Sequence, residues 1–309
     1  MATSLITQYF KSGDISVLPA ALWQVEDPPE GIYLQGTERA FAILTHLPER
    51  GLAVVGTRHP SANHALYLRN WLHHLSDSDL VIVSGFARGI DTVAHEAALE
   101  AGLPTVAIMG SGLDVCYPRQ NERLRQQILE KDSLLVSEYP PGSEPRGFHF
   151  LNRNRLIAAW SKAVWVVQAG ARSGALNTAS WARSHHRLCF TLPCFPGDLL
   201  SAGNQDLLDR HHALPFWGLH SLGAAWLELS TRSSKIKVKD LKVEEAALFS
   251  RVLFLSEGSG GAEVQGVLDW ALSLDWSPAR FFETLGTLVD KRLVVEKNGL
   301  LLKNPDHSA

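Results

Sequence analysis

The chain has 309 residues, 45% of them hydrophobic and 20% charged, with a formal net charge of −3. That is an ordinary soluble globular composition with room for about two domains. No apolar run approaches the roughly 20 residues that span a bilayer, and the opening MATSLITQYFKSGD lacks the basic-then-apolar layout of a signal peptide. A cytoplasmic protein with no membrane partner is expected.

Residues 1–50 read as a short segment of strands and turns packed on a larger body. Pro19, Pro28, Pro29, Gly31 and Gly36 interrupt it too often for an independent core. From residue 51 the pattern becomes regular. Apolar runs at 52–56, 79–85, 104–110, 134–138, 163–168 and 187–192 read as strands. Helix-like periodicity at 63–75, 90–101, 121–130, 151–160 and 175–184 separates them. Strands this apolar, alternating with helices, predict a parallel sheet buried on both faces. The fold class is α/β, with a Rossmann-like doubly wound parallel sheet over residues 51–230. Two further helices are expected at 204–212 and 221–229.

Residues 231–243, TRSSKIKVKDLK and Val243, read as a linker, polar, basic and poor in large side chains. Three helix-like segments follow at 244–256, 262–273 and 277–291. Then come two apolar runs joined by Lys297-Asn298-Gly299, a strong hairpin signal. Three helices and a hairpin give a winged-helix-like domain over 244–309.

Charge is unevenly spread. Between Pro145 and Gly197 there is no Asp or Glu, while Arg146, Arg153, Arg155, Lys162, Arg172, Arg183 and Arg187 fall there. Residues 244–309 instead hold six Lys/Arg against ten Asp/Glu. A local acid-free stretch in an acidic chain points to an anionic partner; chance absence of acids from a helix–strand–helix core is the alternative.

The strand ends sharpen this. They carry Gly56-Thr57-Arg58, the run Ser84-Gly85-Phe86-Ala87-Arg88-Gly89, Gly110-Ser111-Gly112, and Gly170-Ala171-Arg172-Ser173-Gly174. Glycines allow close backbone approach, helix N-termini behind them attract anions, and arginines grip phosphate bidentately. Arg58, Arg88 and Arg172 should converge on one sheet edge. Any one loop alone reads equally as a turn. Arg88 has Asp91 or Asp114 as an alternative partner, and Arg153 and Arg155 could cap the preceding loop. Glu138 reads as a catalytic acid or, preferably, as a group orienting Arg155. GTRHPS replaces a strict GxGxxG after the first strand, so no dinucleotide site is expected. Cys116, Cys189 and Cys194 fit a reducing compartment, and neither they nor the adjacent pairs His185-His186 and His211-His212 have metal-ligand spacing. No metal or cofactor is expected.

These loops, in order, resemble the DNA-processing protein A (DprA/Smf) family. The resemblance rests on VVGTR, SGFARGIDTVAHEAAL, GSGLDVCYPRQN, SEYPPG, F-x-x-RNR and SGALNTA, between about Leu18 and His212. It implies an extended Rossmann domain that binds single-stranded DNA, forms a homodimer and helps place the RecA recombinase on incoming DNA during natural transformation, without being an enzyme. By motif it implies a DNA site of Arg58, Ser84, Gly85, Arg88, Phe150, Arg153, Arg155, Arg172, Ser173, Gly174 and Asn204. Phe150 would stack on a base; a core phenylalanine is the competing reading. Gln168, where members usually have glutamate, and AGNQDLLDRHHA around Asn204 depart from the family pattern. The sheet also resembles lysine-decarboxylase-like (LOG) nucleotide phosphoribohydrolases, the alternative function. Alignment of their PGGxGTxxE motif on Thr178 puts Trp181 at the catalytic glutamate, which argues against hydrolysis. The acidic terminal domain is expected to contact protein, with weak or no DNA binding.

Overall fold

Five strands in the middle of the chain are apolar at nearly every position, and this decides the architecture. The computed structural model describes residues 5–14, 18, 23–194, 197–222, 225–226, 248, 251–252, 262–272, 276–290, 294–297 and 300–303. GLAVV, VIVS, TVAIM, LLVS and AVWV are buried along their whole length. A strand without a polar face needs cover on both sides, which helical crossovers between parallel strands supply.

The strands are β1 (Ile6–Lys11), β2 (Gly31–Gly36), β3 (Gly51–Val55), β4 (Val81–Ser84), β5 (Thr105–Met109), β6 (Leu134–Ser137), β7 (Ala163–Val166), β8 (Leu188–Thr191) and β9 (Leu214–Pro215). They form one sheet in the order β1-β2-β6-β5-β4-β3-β7-β8-β9. The body from β6 to β9 is parallel. The covering helices are α1 (Ala62–His74), α2 (Ile90–Glu100), α3 (Glu122–Glu130), α4 (Gly147–Ala159), α5 (Ala175–Ser184) and α6 (Ala202–Asp209). The six strands and five intervening helices read from the sequence are all present. The helix expected at 204–212 runs from 202 to 209; of the one expected at 221–229, a helical turn at Leu219–Leu222 is described, and residues 223–224 and 227–229 lie outside the described residues.

The opening segment does more than pack on the body. β1 pairs antiparallel with β2, and β2 pairs antiparallel with β6, bringing Leu34 opposite Val136. GIYLQG is mostly buried, with Tyr33 and Gln35 its more open positions, and the free edge of β6 completes its strand character. A tertiary edge adds to a local preference here.

Strands β4, β5 and β6 step outward on one side of β3. The chain then crosses to the other side for β7, β8 and β9. This reversal opens a crevice between the carboxyl ends of β3 and β7, where doubly wound sheets hold ligands.

The chain divides into two units, Met1–Pro215 and Phe216–Ala309. In the second, α7 (Val264–Leu272) and α8 (Pro278–Asp290) accompany β10 (Ala262–Glu263), β11 (Val294–Lys297) and β12 (Leu300–Lys303), paired antiparallel in the order β10-β12-β11. Val267, Ala271, Phe281, Leu285, Leu288, Val294 and Leu301 form its core with Leu248 and Val252. Ser277 caps α8, its hydroxyl accepting from the Arg280 N–H at 3.2 Å. The expected linker 231–243 and the Asn298-Gly299 turn lie outside the described residues, as does most of the expected helix 244–256.

One buried polar contact between α2 and β5 makes stability depend on pH. The Thr105 hydroxyl donates to the Ile82 carbonyl at 2.8 Å, so it accepts from His95 Nδ1–H at 2.7 Å. His95 Nε2 is buried without a partner. Burial, and then the nearby Arg153 cation, push the His95 pKa from 6.5 down to about 3. The folded chain keeps this ring neutral where the unfolded chain protonates it. Its contribution is therefore complete above about pH 6.5 and is lost as pH falls towards 3. Urea unfolding at pH 7 and pH 5 should show wild type losing on the order of 2 kcal/mol more than His95→Gln. Equal losses would contradict the neutral buried ring.

Candidate functional site

A cleft of about 500 Å³ opens at the β3–β7 crevice. Gly56, Thr57 and Arg58 after β3, Ala87 and Asp91 after β4, and Gly170, Arg172, Ser173 and Gly174 after β7 line it. Phe150, Arg153 and Asn154 from the first turns of α4 complete it.

Backbone contacts stitch the loops together. The Thr57 N–H donates to the Gln168 carbonyl at 2.7 Å, and the Ile90 N–H donates to the Thr57 carbonyl at 3.1 Å. That close approach needs Gly89, whose φ is +78° and whose added Cβ would stand 2.4 Å from the Thr57 oxygen. The buried Gln168 side chain accepts from the Ser61 N–H at 2.9 Å and donates to Ser201 Oγ at 3.2 Å. An ionised glutamate could accept at that position but could not donate.

Arg153 is 3% exposed. It donates to the carbonyls of Gly85 and Ile108, at the ends of β4 and β5. Burial lowers its pKa to about 10, with the Asp91 carboxylate acting in the opposite sense. Burial raises the pKa of Asp91, while Arg153 and the Ala87 N–H, 3.3 Å away, favour its charge. Gly85 lies between the two: an added Cβ would meet Asp91 Oδ2 at 2.6 Å and Arg153 Nη2 at 2.7 Å.

Phe150 is half-buried, and its ring seats against Gly110, where a Cβ would come within 2.7 Å of Cδ1. The guanidinium carbons of Arg58 and Arg153 stand 5.7 and 6.0 Å from its ring centroid. Both distances are within cation–π range. Arg58 and Arg172 are exposed. Asp91 is the one carboxylate in the lining, and Arg153 faces it, so the cleft carries a positive balance suited to anions.

The eleven residues read from the sequence fall into three places. Arg58, Phe150, Arg153, Arg172, Ser173 and Gly174 line the cleft. Ser84, Gly85, Arg155 and Asn204 are buried beneath or beside it. The Ser84 hydroxyl donates to the Val54 carbonyl at 2.6 Å and ties β4 to β3. Arg155 meets Glu138 through two hydrogen bonds of 2.9 and 2.7 Å and donates from Nε to the Asp27 carbonyl at 2.6 Å. Glu138 thus orients Arg155. Asn204 accepts from the Ala169 N–H at 2.7 Å and donates to the Val167 and Leu192 carbonyls at 3.0 and 3.1 Å. Arg88 is exposed but stands outside the cleft lining, so the expected convergence narrows to Arg58 and Arg172. Neither expected partner turns to Arg88: Asp91 faces Arg153, and Asp114 accepts from the Gly142 N–H at 2.8 Å.

Asn154 joins the lining and was not singled out from the sequence. Its amide donates to Asn177 Oδ1 at 3.1 Å and to the Gly174 carbonyl at 3.4 Å, linking α4 to the loop before α5. Its position between Arg153 and Arg155, one helical step from the cleft face, was the available signal. Trp181 lies outside the lining and stacks on His185, with ring centroids 5.8 Å apart. Among the described residues no group of three or more His, Cys, Asp or Glu is placed to hold a metal ion.

The sequence profile of the family described as DNA recombination-mediator protein A matches residues 14–222. Protein Smf of Synechocystis sp. is 40% identical over 242 residues, 76% of this chain and 59% of that protein. The DNA processing protein DprA of Streptococcus pneumoniae is 41% identical over 192 residues, 62% of this chain and 65% of that protein. The chain thus spans under two thirds of these relatives' length. The X-ray structure of the Streptococcus pneumoniae protein superposes with a TM-score of 0.63 at 38% identity, covering 70% of this chain and 73% of that one. The structure describing the single-stranded DNA binding mode of DNA processing protein A from Helicobacter pylori gives a TM-score of 0.62 at 28% identity, covering 74% and 99%. With a matching profile over more than half its length and a nine-stranded sheet that superposes on solved members, the chain belongs to the DNA recombination-mediator protein A family.

Proposed function

We propose that this chain binds single-stranded DNA in the β3–β7 cleft and acts in recombination by protecting the strand and loading the RecA recombinase in natural transformation. It works as a homodimer in the cytoplasm and without catalysis. The observation that carries the DNA reading is the half-buried Phe150 ring flanked by the Arg58 and Arg153 guanidiniums, on the floor of a cleft whose single carboxylate is faced by an arginine. Phosphates suit Arg58 and Arg172, a base suits the Phe150 face, and such stacking contributes roughly 1–3 kcal/mol per base. Without a built set of base-edge readers, sequence preference is small. Ser84, Gly85, Arg155 and Asn204 support the reading from beneath, by holding the loops and α4 in place. Among the described residues no helix is long and apolar enough to cross a membrane.

The nucleotide-hydrolase alternative has little to support it. Its glutamate position is Trp181, away from the cleft, and Asp91 is engaged with Arg153 and the Ala87 N–H. We read residues 244–309 as a winged-helix-like module that contacts protein. Its ten acids against six bases disfavour a phosphate backbone, and Arg280 in α8 lies over Trp276, 4.9 Å from the ring centroid.

Salt-titrated binding to single-stranded DNA tests the cleft. Arg58→Ala and Arg172→Ala should each weaken binding and reduce the salt slope by about 0.7, with circular dichroism unchanged. Unaltered affinity in both would overturn the reading. Arg280→Ala should leave single-strand binding within about twofold of wild type on the same assay; a loss equal to that of Arg58→Ala would assign the terminal module to DNA.

A further inference from the structure

The loop after β5, on the same sheet edge, carries an exposed aromatic ring. Tyr117 follows β5 in the run Gly110–Pro118 and is 41% exposed. Its ring centroid is 5.5 Å from that of Phe150, with 40° between the planes. Phe150 therefore has a second aromatic ring beside it as well as the two arginines.

The loop holds Tyr117 firmly. The Gly112 N–H donates to the Ser143 carbonyl at 2.9 Å, and the Val115 N–H donates to the Gly112 carbonyl at 3.0 Å. Ser111 Oγ donates to the Val115 carbonyl at 2.9 Å, and Arg125 to the Leu113 carbonyl at 3.1 Å. Both Asp114 carboxylate oxygens accept from the Gly142 N–H, at 2.8 and 2.9 Å. Pro118, next in sequence, is buried. An aromatic ring so fixed loses little entropy when a base covers it.

We propose that Tyr117 is a second base-stacking residue, so that the DNA track passes from Arg58 across Phe150 to Tyr117 and places two consecutive bases on protein rings. This rests on the single-strand DNA reading of the cleft. Bases in a stacked strand are roughly 3.4 Å apart; a ring spacing of 5.5 Å with a 40° tilt suits a stretched strand turning between the two faces. Any base offers a π-face, so the track is tolerant of sequence. Unpaired bases are required, which gives the chain a preference for single strands over duplex that its arginines alone do not supply.

The test compares two probes on the full chain: a 20-nucleotide oligothymidylate, and a strand of the same length with abasic residues throughout. Tyr117→Ala should weaken oligothymidylate binding about tenfold and leave abasic-strand binding unchanged. Tyr117→Phe should restore wild-type affinity. Arg58→Ala should weaken both probes. If Tyr117→Ala leaves oligothymidylate binding intact while Arg58→Ala weakens it, the stacking proposal fails and the cleft reading stands. Equal weakening of both probes by Tyr117→Ala marks a structural role and also overturns the proposal. Wild-type protein that binds neither probe removes the cleft reading itself.

Discussion

The cleft depends on a cation that is almost wholly withdrawn from water. Arg153 leaves water almost completely and spends its donors on the carbonyls of Gly85 and Ile108, which end two neighbouring strands. Burying a guanidinium is unfavourable unless its charge and its N–H groups are matched. Asp91 supplies the opposing charge, and the strand-end carbonyls supply acceptors. This fastens α4 over the sheet edge at the level of the crevice. Phe150 lies one turn earlier on the same helix, so fixing Arg153 fixes the stacking ring. Gly85 and Gly110 are small because the arginine and the phenylalanine occupy the space their side chains would take.

A second anchor acts at the other side of α4. Arg155 is held by Glu138 from the end of β6 and by the Asp27 carbonyl from the opening segment. Burial works against its charge, and the hydrogen-bonded Glu138 more than offsets this, so its pKa is raised. Arg153 and Arg155 differ in chemistry despite identical type: one bonds backbone oxygens, the other a carboxylate. Between them α4 is tied to β4, β5, β6 and the segment before β2. The opening segment therefore takes part in positioning the cleft through Asp27, whose carbonyl accepts from Arg155 Nε and whose carboxylate stands 3.6 Å from it.

Much of the fold was legible because the strands are apolar throughout and the helices between them have a clear period. The antiparallel pair β1 and β2 was less legible. Tyr9 and Tyr33 face each other across it, but their pairing depends on the free edge of β6, which a local window does not contain. The cleft arginines Arg58 and Arg172 could be read from glycine-rich strand ends, since chemistry and spacing coincide there. Arg88 has the same local context and lies outside the lining, because loop direction past β4 is set by the contact of Gly89 with Thr57. Asn204 reads as a polar residue near a ligand loop; its three hydrogen bonds at the ends of β7 and β8 are a three-dimensional fact. The acid-free stretch supplies part of the cleft lining, but within it Arg183 turns to His212 and Arg187 to the Ala159 carbonyl. Charge count found the neighbourhood, and hydrogen bonding sorted its members.

Gln168 sits below the cleft floor, joining the loop after β3 to the turn before α6 with one acceptor and one donor. The joint is made without a formal charge. A carboxylate at this depth, 1% exposed and poorly screened by solvent, would add a negative charge to the loops that carry Arg58 and Arg172. With an amide, the full field of those arginines extends out of the cleft mouth. The positive balance of the cleft is thus strengthened by a residue outside its lining, and the geometry of the joint stays the same over the whole pH range in which a carboxylate would titrate.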